Sequence, residues 1–133
     1  MIYTIDNPKS VKDAFNFRGV KTFTGVVKDK YNTVAYYLNG NRHREGGPAI
    51  TFADGEKHWW LNGKRHRTDG PATENANGDK CWYLNDKCHR EDGPACEMAN
   101  GRKYFYLNDV YYGTNENFTN ESWIRFVTLR ILT

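Results

Sequence analysis

Apolar and polar positions in the middle of the chain recur at a fixed interval. Leu38, Leu61, Leu84 and Leu107 stand 23 residues apart, and each closes an aromatic pair and precedes an asparagine. Aligned on that spacing, the segments read YYLNGNRHREGGPA from Tyr36, WWLNGKRHRTDGPA from Trp59, WYLNDKCHREDGPA from Trp82 and the truncated FYLNDVYYG from Phe105. Self-similarity of this kind marks a repeat architecture in which each unit buries its apolar surface against its neighbours. Within one unit, residues 57–62 alternate as a strand does, placing Trp59 and Leu61 on one face and His58 and Trp60 on the other. A return strand is predicted over 71–76, opening on Pro71, where no interior ladder bond is lost. Asp54-Gly55, Asn77-Gly78 and Asn100-Gly101 separate the units and predict two-residue hairpin turns.

Sequential strands joined by short turns pair as neighbours. The expected fold is therefore mainly β: a single antiparallel meander sheet of about seven to nine strands, built from two-strand units. Tyr36, Trp59, Trp82 and Phe105 form a row on one face; Tyr37, Trp60, Tyr83 and Tyr106 line the other. Residues 1–33 read as an N-terminal cap, 34–113 as the repeat sheet and 114–133 as a C-terminal capping helix, all in one compact domain. In the cap, Ser10 and Asp13 resemble a capping box that opens a short helix to about Phe17, followed by a strand over 21–28. At the other end Thr119 is the predicted N-cap, with Phe118 and Trp123 at the staple positions of an amphipathic helix of about 12 residues.

Composition sharpens this picture. Only 38% of the 133 residues are hydrophobic, yet 15% are Phe, Trp or Tyr, so burial has to come from large rings with polar edges. The N-terminal residues show neither a spanning helix nor a signal peptide, which makes a cytoplasmic protein the expectation. Cys81, Cys88 and Cys96 are odd in number and read as reduced thiols.

The segments Tyr37-x-x-Gly40-x-x-His43, Trp60-x-x-Gly63-x-x-His66 and Tyr83-x-x-Asp86-x-x-His89 resemble the aromatic-x-x-Gly-x-x-His kernel of the membrane occupation and recognition nexus (MORN) repeat, whose period is also 23. The resemblance covers about residues 34–113. It departs where Arg44, Arg67 and Arg90 follow the histidines, in an HRxDGPA variant similar to tandem repeats of tailed phages and large DNA viruses. It implies an antiparallel repeat sheet used mainly for protein contacts, with lipid binding in some members, and no catalysis.

The repeated polar residues invite chemical readings. Equivalent histidines lie two strands apart, about 9 to 10 Å, too far to share a zinc ion that bonds nitrogen at about 2.0 to 2.1 Å. Each His is instead expected to bond a neighbouring unit, and no metal or cofactor is expected. Arg44, Arg67 and Arg90 could form a phosphate strip, but residues 34–113 hold 11 basic and 11 acidic residues, so the repeats are formally neutral. Nucleic-acid binding needs an uncompensated basic surface, and Arg–carboxylate ties between turns are the expectation. Nucleophile, base and orienting group must converge for catalysis, whereas these residues are triplicated at architectural intervals. Sugar stacking on exposed rings is an alternative. Two sequons, at Asn117 and Asn120, read as coincidence without a secretory signal.

The expected function is a non-enzymatic module that binds another protein, such as a host protein if the gene is viral, through Tyr37, Trp60, Tyr83 and Tyr106 with Arg44, Arg67 and Arg90. This holds if the C-terminal helix covers the opposite face; if it covers the Trp60 face, Trp59 and Trp82 take that role. The competing reading is a small-ligand protein that sequesters a nucleotide or sugar with its Arg and Tyr rows. A homodimer is compatible with an open sheet.

Overall fold

A computed structural model describes residues 2–5 and 24–132. The first unit runs out along β3 (Val34–Leu38) and returns through β4 (Asn41–Arg42) and β5 (Ile50–Thr51). The second goes out along β6 (Lys57–His58) and β7 (Trp60–Leu61) and returns through β8 (Lys64–Arg65) and β9 (Thr73–Glu74). The third repeats this as β10 (Lys80–Cys81), β11 (Tyr83–Leu84), β12 (Lys87–Cys88) and β13 (Cys96–Glu97). The fourth is the plain hairpin β14 (Lys103–Leu107) and β15 (Val110–Thr114), followed by the helix α1 (Asn120–Leu132). Before them stand β1 (Ile2–Ile5) and β2 (Gly25–Asp29).

The strands form an open sheet of eleven, in the order β1-β2-β3-β5-β6-β9-β10-β13-β14-β15, with β4 beside β3. All pairings are antiparallel except β1 with β2, which is parallel. The ribbons β7–β8 and β11–β12 continue the second and third units outward. The count exceeds the expected seven to nine because β1 and β2 lengthen the sheet at its first edge. Of the expected N-terminal cap, the strand over 21–28 is seen as β2; the helix from Ser10 to Phe17 lies outside the described residues.

The turns are distributed differently from the sequence expectation. The two-residue turns sit at Asn39-Gly40, Asn62-Gly63, Asn85-Asp86 and Asn108-Asp109, where both residues have positive φ, between 48° and 79°. That is the type I′ geometry whose twist matches a hairpin, and Asn, Asp and Gly tolerate it best. Hence the Asn after Leu38, Leu61, Leu84 and Leu107. At Asp54-Gly55 the loop is one residue longer: Phe52 N–H donates to Glu56 O and Gly55 N–H to Phe52 O, with positive φ only at the glycine. Asn77-Gly78 and Asn100-Gly101 repeat this three-residue loop with its glycine bulge. The return strand therefore starts at Lys64, not Pro71, and is interrupted before β9.

Both faces of the sheet carry apolar clusters. On one, Val27, Ala35, Tyr37 and Ile50 are buried with Phe52 and Trp60 against them, and farther along Cys88, Ala95 and Cys96 pack with Tyr83, Met98, Tyr104 and Tyr106. On the opposite face, α1 lays Trp123 and Val127 over Phe105 and Leu107. Thr119 caps the helix reciprocally: Ser122 N–H donates to Thr119 Oγ1 at 3.1 Å, and Thr119 N–H donates to Ser122 Oγ at 2.9 Å. The Phe118 and Trp123 rings meet at 5.1 Å as the staple requires. The helix thus covers the last unit of the Trp59–Trp82 face, and the edge strand β15 is left to pair with β14 alone.

One expectation is overturned. Cys81 and Cys96 are not separate thiols: they face each other across β10 and β13 and form a disulfide, with Cα atoms 4.2 Å apart. Trp82 N–H bonds Ala95 O, so the adjacent Cys81–Cys96 pair falls at a non-hydrogen-bonded position, where side chains approach most closely. Spacing along the chain hid this proximity, because the pair is created by register. Cys88 remains free and buried, and burial, reinforced by the Asp109 carboxylate, pushes its thiol up to about 11. A thiol titration checks both statements. Native protein at neutral pH should react negligibly, since a thiol of that pKa is ionised to roughly one part in ten thousand. Unfolding without reductant should expose one thiol and unfolding with reductant three; three without reductant would contradict the pairing.

Candidate functional site

The interruption of each return strand builds the most distinctive surface of the molecule. Trp59 N–H donates to Ala72 O at 2.7 Å, and Trp59 O accepts from His66 N–H at 3.1 Å. One outgoing residue therefore pairs with both ends of the return strand, and the residues between, 67–71, are pushed out of the sheet. Tyr36 does the same with Ala49 and His43, and Trp82 with Ala95 and His89. Three excursions result, each spelling the Arg-x-x-Gly-Pro part of the motif.

Each excursion is pinned through backbone and side chains alike: Arg44, Arg67 and Arg90 N–H donate to Trp60, Tyr83 and Tyr106 O of the next unit at 3.0 to 3.3 Å. The histidine reaches the next unit: His43, His66 and His89 Nδ1 accept the backbone N–H of Asn62, Asn85 and Asn108 at 2.9 to 3.1 Å. This is the neighbour-bonding role anticipated for the column. It also supplies an acceptor for the first N–H of each left-handed turn, a donor that would otherwise find no partner in the ladder.

The arginine folds back over the ring of its own unit. Guanidinium carbons lie 4.1, 4.0 and 3.9 Å from the ring centroids of Tyr36, Trp59 and Trp82, for Arg44, Arg67 and Arg90 respectively. The same side chains donate to the carbonyls of Pro48, Pro71 and Pro94 at 3.0 to 3.2 Å, closing the loop. A Cβ at Gly47, Gly70 or Gly93 would lie 2.8 to 3.0 Å from the guanidinium carbon, so glycine is what leaves room for the fold-back. Arg67 is further tied to Asp69 at 2.9 Å and Glu74 at 3.5 Å, and Arg90 to Asp92 at 2.9 Å and Glu97 at 3.2 Å. In the first unit Gly46 and Thr51 take the carboxylate positions, and Arg44 has no ion-pair partner among the described residues.

Between successive excursions lie clefts of one design. The first, about 450 Å³, is walled by the Arg44 and Arg67 excursions, with Trp59 and Leu61 inside. The second, about 540 Å³, is walled by the Arg67 and Arg90 excursions, with Trp82 and Leu84 inside. In the third, Phe105 and Leu107 occupy the same places but α1 fills the space. Trp123 lies 5.1 Å from Phe105 and its Nε1 donates to Arg90 O at 3.0 Å. A hollow of about 380 Å³ remains beside Glu91, Tyr112 and Arg130.

The seven residues expected to bind a partner divide between the two faces. Arg44, Arg67 and Arg90 stand on the cleft face and are committed to rings and carbonyls, and Arg67 and Arg90 to carboxylates as well. Tyr37, Trp60, Tyr83 and Tyr106 stand on the other. Tyr37 is only 3% exposed and Trp60 packs against the same cluster. Arg65 lies 4.1 Å over the Tyr83 ring, and Tyr106 packs on Tyr111 at 5.5 Å. Burial raises the pKa of both Tyr83 and Tyr106 above the usual phenol range. The open clefts are lined by the three arginines together with Trp59, Trp82, Leu61, Leu84 and the excursion tips. Sequence reasoning reserved Trp59 and Trp82 for a helix on the Trp60 face, whereas the helix lies on their own face and covers only its last unit, and nothing in the motif announced that its polar half leaves the sheet.

Among the described residues no group of three or more His, Cys, Asp or Glu is placed to hold a metal ion, and no helix is long and apolar enough to cross a membrane. No protein-family model, curated protein or solved structure matches the chain.

Two predictions follow from the pinning contacts. His66→Ala removes the acceptor from Asn85 N–H and should cost about 1 to 2 kcal/mol in a urea melt; an unchanged midpoint would show that the bond contributes nothing. Asp69 accepts a hydrogen bond from Arg67 and feels its charge, which holds its pKa below the usual carboxylate range. Stability from this pair is therefore present above that range and is lost as pH falls through it. Asp69→Asn should flatten the stability–pH curve between about pH 5 and pH 3, and a parallel pair of curves would contradict the assignment.

Proposed function

We propose that this chain is a non-enzymatic binding module that holds another protein against the uncovered Trp59–Trp82 side of its sheet, as a phage or viral accessory protein inhibiting a host protein. The reading rests on one observation above all. Three clefts share a design, the chain's own helix fills the last, and the first two are left open with Trp, Leu and His side chains at their walls. Such rings, rigid and amphipathic, concentrate binding energy at protein interfaces. We extend the reading to a MORN-like lineage and to the cytoplasm, a location against which the Cys81–Cys96 disulfide weighs.

Electrostatics weighs against the nucleotide form of the competing reading. Arg67 and Arg90 are each paired with two carboxylates, so no free guanidinium row faces a phosphate. A neutral sugar keeps support from the second cleft, where Trp82 stands among Asp69, Glu91 and Asp92 in a volume typical of small-ligand sites.

Affinity capture from a host lysate tests the main reading. Wild-type protein should retain a stoichiometric partner that Trp82→Ala loses and Tyr106→Phe, on the opposite face, keeps. Absence of any such partner, or equal capture by Trp82→Ala, would overturn it. A rise in melting temperature with oligosaccharides and no protein partner would favour the sugar. Trp60→Ala should behave as a core truncation, lowering stability by about 3 kcal/mol or more; a melt within about 0.5 kcal/mol of wild type would return Trp60 to the surface.

A further inference from the structure

The third cleft shows what this surface accepts. There the occupant is an indole that packs at a tilt of 53° against Phe105 and donates its N–H to the carbonyl of Arg90, with Val127 in the same cluster as Leu107. One and two units earlier, the carbonyls of Arg67 and Arg44 hold the equivalent position and accept no hydrogen bond from any described residue. Trp82 and Trp59 replace Phe105, and Leu84 and Leu61 replace Leu107. Each open cleft therefore has an apolar wall and an unused acceptor of the kind that Trp123 satisfies.

Charge narrows the occupant further. The rims of the open clefts carry exposed carboxylates: Glu45 (87% exposed) and Asp69 (84%) at the first, Asp69, Glu91 (59%) and Asp92 (78%) at the second. Arg67 and Arg90 offset Asp69 and Asp92, each at 2.9 Å, which leaves Glu45 and Glu91 as the rim carboxylates with no arginine ion-pair partner among the described residues. In the filled cleft the helix brings Arg130 beside Glu91. We propose that the two open clefts each receive a tryptophan side chain from a basic segment of the partner protein, its indole N–H donating to the carbonyl of Arg44 or Arg67. Phenylalanine lacks the donor, and an acidic segment meets like charge at the rim. Successive clefts lie two strands apart, about 9.6 Å, within the spacing at which neighbouring helices pack, so adjacent clefts can be filled together. The inference rests on the protein-binding reading above and specifies the chemistry of its partner.

The probe is a synthetic peptide of residues 118–132 with two lysines appended, titrated into the isotope-labelled full chain and followed by amide NMR. Binding should be micromolar and should shift the amides of Thr68, Gly70, Trp82 and Arg90. The peptide carrying Trp123→Ala should bind at least tenfold more weakly. Thr68→Lys in the full chain adds a positive charge to the exposed tip shared by both clefts without touching the Arg67 ties, and should weaken the wild-type peptide to a similar degree. Equal affinity of the two peptides, no binding at millimolar peptide, or shifts confined to Phe105, Leu107 and Tyr112, where the peptide would merely displace α1, would each overturn the inference. A captured protein that depends on Trp82 but contacts the clefts without a tryptophan, as mapped by cross-linking, overturns it too while leaving the protein-binding reading standing.

Discussion

A guanidinium laid flat on an aromatic ring, with a glycine behind it, recurs in three successive units and decides the shape of everything around it. When the return strand leaves the ladder after His43, His66 or His89, it loses the backbone bonds that a strand would have made there. The arginine restores the loss by binding the proline carbonyl at the far end of the same excursion and by covering a ring the sheet alone would leave wet. A cation over an indole is worth about 2 kcal/mol once desolvated, and the Arg67 and Arg90 side chains are 22% and 19% exposed. Together with the bonds that the Arg N–H groups and the histidines make to the next unit, this fold-back sets the height of the loops and hence the walls of the clefts.

The fourth unit shows the same constraint from the other side. Tyr112 and Gly113 stand where His and Arg stood, so no excursion forms and Phe105 has no guanidinium over it. Trp123 and Phe118 take over the coverage, at 5.1 and 5.3 Å. A sheet face that is polar-capped through three units and aromatic-capped in the fourth ends on a helix because the capping residue type changes. The two faces consequently differ in kind: one is a pair of apolar clusters with arginines at their margins, and the other a row of walled clefts, two open and one occupied.

Much of this was legible in the chain. The 23-residue interval, the alternation at 57–62 and the staple around Thr119 place the antiparallel sheet, its two aromatic rows and the helix. What stayed hidden depends on contacts that periodicity does not encode. Asn-Gly and Asn-Asp after each repeat leucine are hairpin signals of the same strength as the Asp-Gly and Asn-Gly pairs between units, and choosing the latter alone misplaced the start of the return strand. Pro71 looked like a strand opening because an excursion and a loop end read alike in sequence. The Cys81–Cys96 pair arises from cross-strand register, which slips by whole pairs with one residue of turn length. The candidate site eluded residue counting for a similar reason: Arg44, Arg67 and Arg90 share a column with each other but a face with Trp59, not with Trp60.

The central claim is energetic coupling between ring and guanidinium, and a double-mutant cycle on Trp59→Leu and Arg67→Gln, followed by chemical denaturation, measures it directly. If the stack holds the excursion, the two changes should be non-additive by about 1 to 2 kcal/mol. Additivity to within about 0.3 kcal/mol would mean that the arginine merely rests on the ring, and that the cleft walls are held by something else.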